Sequence, residues 1–324
     1  MSHRVGAALE PQGVTLQETL ERVDITEEMG ADSQWLIQMP GQWESGTVLA
    51  ALAARTERIT LGSAILPLYS RPPVAMASTA LTLGELSGGR FVLGLGLGHR
   101  DVGEWMVGAG AAPPAVPGMR EYLEIVLAAI QKGEADHDGK WFGGHVFYPP
   151  TQERHSDLPV YVGTFGPRML ELAGEVADGV ILWMCTPSYV RDVVMPALRR
   201  GFARRTDGRY PGGAGFEVAA LICAAVTPEV EADQTRFGEY LSAYVRVPTY
   251  RRLFEASGFG AQIRAGRPDE EMIRGLSAIG GPAESHARMA AYAAEGVTQM
   301  LICPAGSAFL DRGRYLDTVR AALA

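Results

Sequence analysis

The sequence predicts an α/β protein, a (β/α)8 TIM barrel in one domain spanning residues 1–324, and three observations carry that expectation. Short apolar runs alternate with longer stretches of helical periodicity, and the alternation repeats eight times. Pro72, Pro167, Pro187, Pro228 and Pro282 stand at or near helix starts, where a missing N–H costs nothing. A chain of 324 residues is also a length that α/β barrels routinely occupy as a single domain.

The expected strands are Val5–Leu9, Ser33–Gln38, Thr60–Ile65, Phe91–Leu97, Val160–Gly163, Gly179–Met184, Val218–Val226 and Gln299–Cys303. Each is a short apolar run of strand length bounded by turn residues. The expected helices are Thr15–Met29, Thr47–Thr56, Val74–Leu86, Met119–Lys132, Pro167–Val176, Tyr189–Arg204, Pro228–Phe254 and Pro282–Ala294, with Asp311–Leu323 closing the chain. Leu123, Val126, Leu127 and Ile130 recur at i, i+3, i+4 and i+7, which gives the fourth helix a stripe to bury. Two connections exceed the norm, one after the fourth strand (Gly133–Leu158) and one after the seventh (Gly238–Gly281). The first carries Trp141, Phe142, Phe147 and Tyr148 and reads as a small hairpin packed on the barrel.

Composition narrows the function. Hydrophobic residues make up 47% of the chain and charged residues 20%, as in an ordinary globular protein. A net charge of −8 gives no electrostatic support for nucleic-acid binding. No apolar run approaches the ~20 residues of a membrane span. The N-terminus lacks the apolar core of a signal peptide, so a cytoplasmic protein is expected. Cys185, Cys223 and Cys303 have no metal-ligand spacing, and reduced thiols are expected; no metal site is predicted.

Three stretches carry candidate chemistry. Gly94, Gly96 and Gly98 alternate along one strand, which leaves one strand face bare for a flat ligand or another backbone. Their spacing is not that of a dinucleotide fingerprint, and small inner residues making room for bulky neighbours is the competing reading. Gly163-Thr164-Phe165-Gly166-Pro167-Arg168 is a strand end, a turn and a helix start, a place suited to phosphate through free N–H groups and the helix dipole. Thr164 could add a hydroxyl and Arg168 a counter-charge, although a plain helix cap is the rival. The arginines Arg246, Arg251, Arg252, Arg264 and Arg267 read first as a solvated face and second as contacts for an anion.

Thr60–His99 combines L-G-S-A-I-L-P with a following R-P, a helix ending L-S-G-G-R-F and the G-L-G-L-G strand. Together with Pro159–Met184 and Gly280–Pro304, this resembles the luciferase-like monooxygenase superfamily, in particular its coenzyme F420 (deazaflavin)-dependent oxidoreductase branch. The resemblance runs through nearly the whole chain in order. It implies a non-proline cis peptide bond at Ala64–Ile65, with Ser63–Ala64 as the alternative, making a bulge that supports the cofactor ring. It further implies that Ser63, Ala64, Ile65, Leu97 and Gly98 lie at the ring, and that Gly163, Thr164, Phe165, Gly166, Pro167 and Arg168 hold its phosphate. His99, just past the strand, becomes a candidate catalytic residue.

In many deazaflavin-dependent relatives an acid–histidine pair follows the second strand, whereas this chain has Gln38 and Met39 there. Sugar-phosphate dehydrogenase activity therefore does not transfer simply, and Gln38 is expected to hydrogen-bond a carbonyl of ring or substrate. Met39, Tyr69, Trp183 and Cys185 are expected pocket walls. The leading expectation is hydride transfer between F420 and a small-molecule substrate, which requires positioning and neither nucleophile nor metal. FMN-dependent monooxygenation and flavin binding without turnover are the alternatives, and a homodimer is expected from the resemblance.

Overall fold

The computed structural model describes residues 4–10, 14–39, 41–98, 113–150 and 154–324. Its strands in chain order are β1 (Arg4–Leu9), β2 (Ser33–Leu36), β3 (Thr60–Ser63), β4 (Leu66–Pro67), β5 (Phe91–Gly96), β6 (Glu134–Asp138), β7 (Gly143–Phe147), β8 (Val160–Gly163), β9 (Gly179–Trp183), β10 (Glu217–Val226), β11 (Ser277–Gly280) and β12 (Gln299–Pro304). Eight of them close a parallel barrel in the order β12-β1-β2-β3-β5-β8-β9-β10, with β10 pairing back to β12. All eight predicted strands stand in that barrel, and helices surround it.

Two packed zones account for the closure. Inside the barrel, Ala8, Trp35, Val92, Tyr161, Ile181, Leu221 and Leu301 form one apolar cluster, with Trp35 and Tyr161 stacked 5.8 Å apart. Trp35 fits because β3 offers Gly62 beside it; a Cβ there would overlap the indole. Outside, the opposite face of each strand packs on the helices, so these strands are buried on both sides and read as continuous apolar runs. The helix Ala115–Lys132 buries Leu123, Val126 and Ile130 of its stripe and ends at Gly133, whose φ of 79° favours glycine.

The structure departs from the sequence reading at three places. The third strand stops at Ser63 rather than Ile65, because Ala64–Ile65 is a cis peptide bond. The expected helix Pro228–Phe254 is two helices, Val230–Tyr244 and Pro248–Ala256. Pro248 begins the second, and it forces Val247 into an extended conformation that cannot continue the first. Finally, the long late connection returns through β11, which pairs with Cys223–Val226 of β10; four residues inside a long insertion gave no strand pattern of their own. The other insertion is the expected hairpin, formed by β6 and β7.

Candidate functional site

The candidate site lies at the C-terminal end of the barrel strands, where (β/α)8 enzymes build their sites. Strand alternation decides what points inward there. Gly6 and Ala8 of β1 are followed by Glu10; Trp35 of β2 by Ile37; Ile181 of β9 by Trp183; Leu221 of β10 by Cys223; and Leu301 of β12 by Cys303. On β5 and β8 the corresponding inward positions are Gly96 and Gly163.

Those glycines are explained by the bulge. The ladder between the third strand and β5 runs Gly62↔Val92 and resumes at Leu66↔Leu95, so Ser63, Ala64 and Ile65 face only Leu93 and Gly94. Ser63 repairs the gap with its side chain: its Oγ donates to the Gly94 carbonyl and accepts from the Gly94 N–H, both at 2.9 Å. A Cβ on Gly94 would overlap the Ser63 carbonyl. The Ile65 side chain then lies across the two other glycines, where a Cβ would come within 2.9 Å of it at Gly96 and 2.5 Å at Gly163. The bare strand face is therefore filled by backbone and by Ile65, and the half-buried Ile65 offers the surface above.

Next to this surface, β8 ends in the turn before the helix Pro167–Val176. Gly166 caps that helix with no side-chain acceptor; Pro167 has no N–H and Met169 donates to the Gly166 carbonyl at 3.0 Å, which leaves the Arg168 N–H open. Thr164 accepts the Gly166 N–H at 3.2 Å, and the Tyr189 hydroxyl donates to the Phe165 carbonyl at 3.0 Å, which fixes the turn. Arg168 is exposed and has no hydrogen bond or ion pair among the described residues. Leu97 is half-buried against the core, and Gly98 is exposed with φ 64°.

Several expected site residues are placed otherwise. Ser63 has no exposed surface, so it braces the bulge and has nothing to offer a ligand. Gln38 points outward past β2 and spends both ends of its amide on the loop: Nε2 donates to the Met39 carbonyl at 2.9 Å, and Oε1 accepts the Ser45 N–H at 2.6 Å. It supports the start of the helix Ser45–Ala53, whose cap is Glu44, through the Ser45 N–H. Cys185 belongs to the core: Met184 adopts φ 56°, which breaks the alternation after Trp183 and turns the thiol inward at 4% exposure. Burial pushes that thiol far above its ordinary pKa. Met39 and Tyr69 are half-buried, and Tyr69 packs on the core. His99 lies outside the described residues.

Facing the bulge across the barrel is a group the sequence reading passed over. Glu10, half-buried at the end of β1, accepts a 2.8 Å hydrogen bond from Gln42 Nε2, and burial raises its carboxyl pKa. Cys223 and Cys303 are register partners on β10 and β12, and the neighbouring Cys303 thiol together with burial raises the Cys223 pKa well above its ordinary value. Above them the helix Val230–Tyr244 brings Tyr240 and Tyr244, whose hydroxyls are 2.9 Å apart, while Trp183 packs on Tyr244 at 6.3 Å. The period of two that placed Ala8 inward also places Glu10 there, so the signal for it was present in β1. The arginines Arg246, Arg252, Arg264 and Arg267 are exposed, and Arg251 donates to the Val245 carbonyl, so the solvated reading of that cluster holds.

A closed barrel with a bulged third strand, glycines beneath the bulge and an open helix start beside it defines a luciferase-like barrel. A model of the luciferase-like monooxygenase family matches residues 1–299, and the chain belongs to that family. It is 28% identical to a Mycobacterium tuberculosis protein provisionally named a coenzyme F420-dependent oxidoreductase, over 90% of this chain and 92% of that protein. It is 27% identical to the 5,10-methylenetetrahydromethanopterin reductase of Methanolobus tindarius, over 86% of this chain and 87% of the relative. The fold matches the coenzyme F420-dependent tetrahydromethanopterin reductase of Methanopyrus kandleri with a TM-score of 0.81 at 23% identity, covering 99% and 98% of the two chains.

Proposed function

We propose that the protein is an F420-dependent oxidoreductase that exchanges hydride with a small organic substrate. The observation that carries the reading is the pairing of Ile65, seated over Gly96 and Gly163, with the uncapped helix start at Gly166 and the free Arg168. A planar ring fits against the Ile65 and Ala64 surface, and a phosphate on that ring's side chain fits the Arg168 N–H and guanidinium together with the Thr164 hydroxyl. Bound F420 would supply the hydride chemistry. Leu97 and Gly98 border the same bed from β5, and Gly163, Phe165 and Pro167 shape the turn. These residues would hold the ring beside the opposite half of the rim.

Hydride arriving at a carbonyl or imine carbon leaves its heteroatom in need of a proton. Glu10 is placed to give it. Gln42 occupies Oε1, which leaves Oε2 to hold the proton, and the desolvated carboxyl keeps that proton to higher pH than an exposed glutamate would. The residue thus takes the acid's part that Gln38 cannot play. Trp183 closes the floor against water.

The test is direct. Titration with F420 should quench its fluorescence at micromolar protein, and FMN should bind at least tenfold more weakly. Tight FMN binding with substrate-coupled oxygen uptake would instead make the protein a flavin monooxygenase. The expected small-molecule partner and homodimeric state belong to the same reading.

A further inference from the structure

The half of the rim opposite the bulge has a chemical character of its own. Rings run in an unbroken chain from the late insertion down to the cofactor turn: Phe237 to Tyr240 at 6.3 Å, Tyr240 to Tyr244 at 5.2 Å, Tyr244 to Tyr250 at 4.7 Å, and Tyr250 to Phe165 at 5.1 Å. Trp183 supports this chain from the end of β9. Tyr240 keeps 40% of its surface open, yet its hydroxyl is strongly desolvated. The ring is thus open to a ligand while its hydroxyl, beside that of Tyr244, lies away from bulk water.

The polar groups of this half of the rim are few and of one kind. The tyrosine hydroxyl pair and the Glu10 carboxyl carry no positive charge, and burial raises the Glu10 pKa. Gln42 Oε1 is buried without a hydrogen-bond partner. Among the described residues no lysine or arginine joins this group; the insertion's arginines are exposed or bonded to backbone. Among the described residues an anionic substrate would find no counter-charge here, whereas a flat apolar ring finds edge and face contacts worth about 0.5–1.5 kcal/mol per pair.

We propose that this half of the rim is a substrate subsite for an uncharged molecule in which a carbonyl group is joined to a flat ring, the ring lying against Tyr244 and Trp183 and the carbonyl reaching the Tyr240–Tyr244 hydroxyls and Glu10. The inference rests on the F420 reading for the reaction, but the subsite itself is defined by protein groups alone. Tyr244 is the specificity-determining ring, and Tyr240 reads the oxygen. Hydride adds to the carbonyl carbon, the C=O π electrons pass to oxygen, and the Glu10 proton completes the alcohol; the oxidised cofactor is the other product.

Ligand binding can be read without turnover. Acetophenone, ethylbenzene, 2-butanone and benzyl phosphate are titrated into the F420-loaded protein, and separately into the protein without F420, following tyrosine and tryptophan difference absorbance. Acetophenone should bind at least tenfold more tightly than 2-butanone and benzyl phosphate. Tyr244→Leu should collapse the acetophenone to 2-butanone ratio to about one. Tyr240→Phe, which keeps the ring, should leave that ratio intact and abolish the preference for acetophenone over ethylbenzene. The proposal is overturned if benzyl phosphate binds as well as acetophenone, or if both variants leave the ratios unchanged. If Tyr244→Leu does not fold, the four-ligand series and Tyr240→Phe decide alone. Acetophenone binding with no F420 binding would sink the cofactor reading and keep the subsite; F420 binding with no acetophenone response would do the reverse.

Discussion

The two halves of the rim are built from different materials. Around β3, β5 and β8 the surface is made by main chain: glycines stand where a side chain cannot fit, a hydroxyl replaces ladder hydrogen bonds, and one isoleucine lies on top. Around β9, β10, β12 and β1 it is made by side chains of the barrel and of the late insertion, rings and weak acids above all. The difference teaches that a surface made of backbone is fixed by the fold, whereas a surface made of side chains can change without disturbing it.

The sharpest way to separate the halves is to remove the proton from one and leave the other whole. Glu10→Gln should lower kcat about 10²–10⁴-fold while F420 affinity, read by fluorescence quenching, stays within twofold. Its pH behaviour carries a sign. The folded pKa is raised, so between the ordinary glutamate value and the folded one the native state binds more protons than the unfolded. Stability is therefore lost as pH rises through that window, and reduction loses rate on the same alkaline limb. Glu10→Gln should flatten both, and a limb that survives the substitution belongs to another group.

The converse test overfills the bed. Gly163→Val places new atoms against Ile65 and should cost about 1–3 kcal/mol of stability, with F420 quenching abolished at concentrations that saturate the parent. Adding Ile65→Ala should restore the melting temperature without restoring cofactor affinity, since the supporting surface is then gone. Arg168→Ala should be milder, weakening F420 roughly tenfold, less so at high salt because the guanidinium is exposed. Smallest is Gln38→Ala, which frees the Ser45 N–H while Glu44 still caps the helix Ser45–Ala53, and should cost about 0.5–1 kcal/mol; substrate KM should hold steady. A KM change there would return Gln38 to the site.

The contrast also explains what could be read beforehand. The eight strands were legible because each is buried on both faces, and the alternating glycines were legible as a face without side chains, which the Ser63 backbone and Ile65 fill. The facing half was not. Glu10 stands one alternation past the last apolar residue of β1, where a lone carboxylate looks like a loop charge. Cys185 looked like a wall because nothing in the sequence reports the positive φ at Met184. Gln38 looked free because its partners, the Ser45 N–H and the Met39 carbonyl, are backbone groups invisible to a side-chain pattern.

One pairing bears on how such a fold diversifies. The segment that leaves the end of β10 comes back as β11 beside the same four residues, Cys223–Val226. Its two ends run into adjacent parallel strands, so the segment crosses back over the length of that four-residue ladder, on the order of 10 Å, before it re-enters beside Cys223. A chain segment anchored in that way can be lengthened, trimmed or exchanged for the small logarithmic entropy of closing a loop, with the hydrogen-bonded hem around its base left untouched. New chemistries can be tailored there by recombination, one garment at a time, on an unaltered frame.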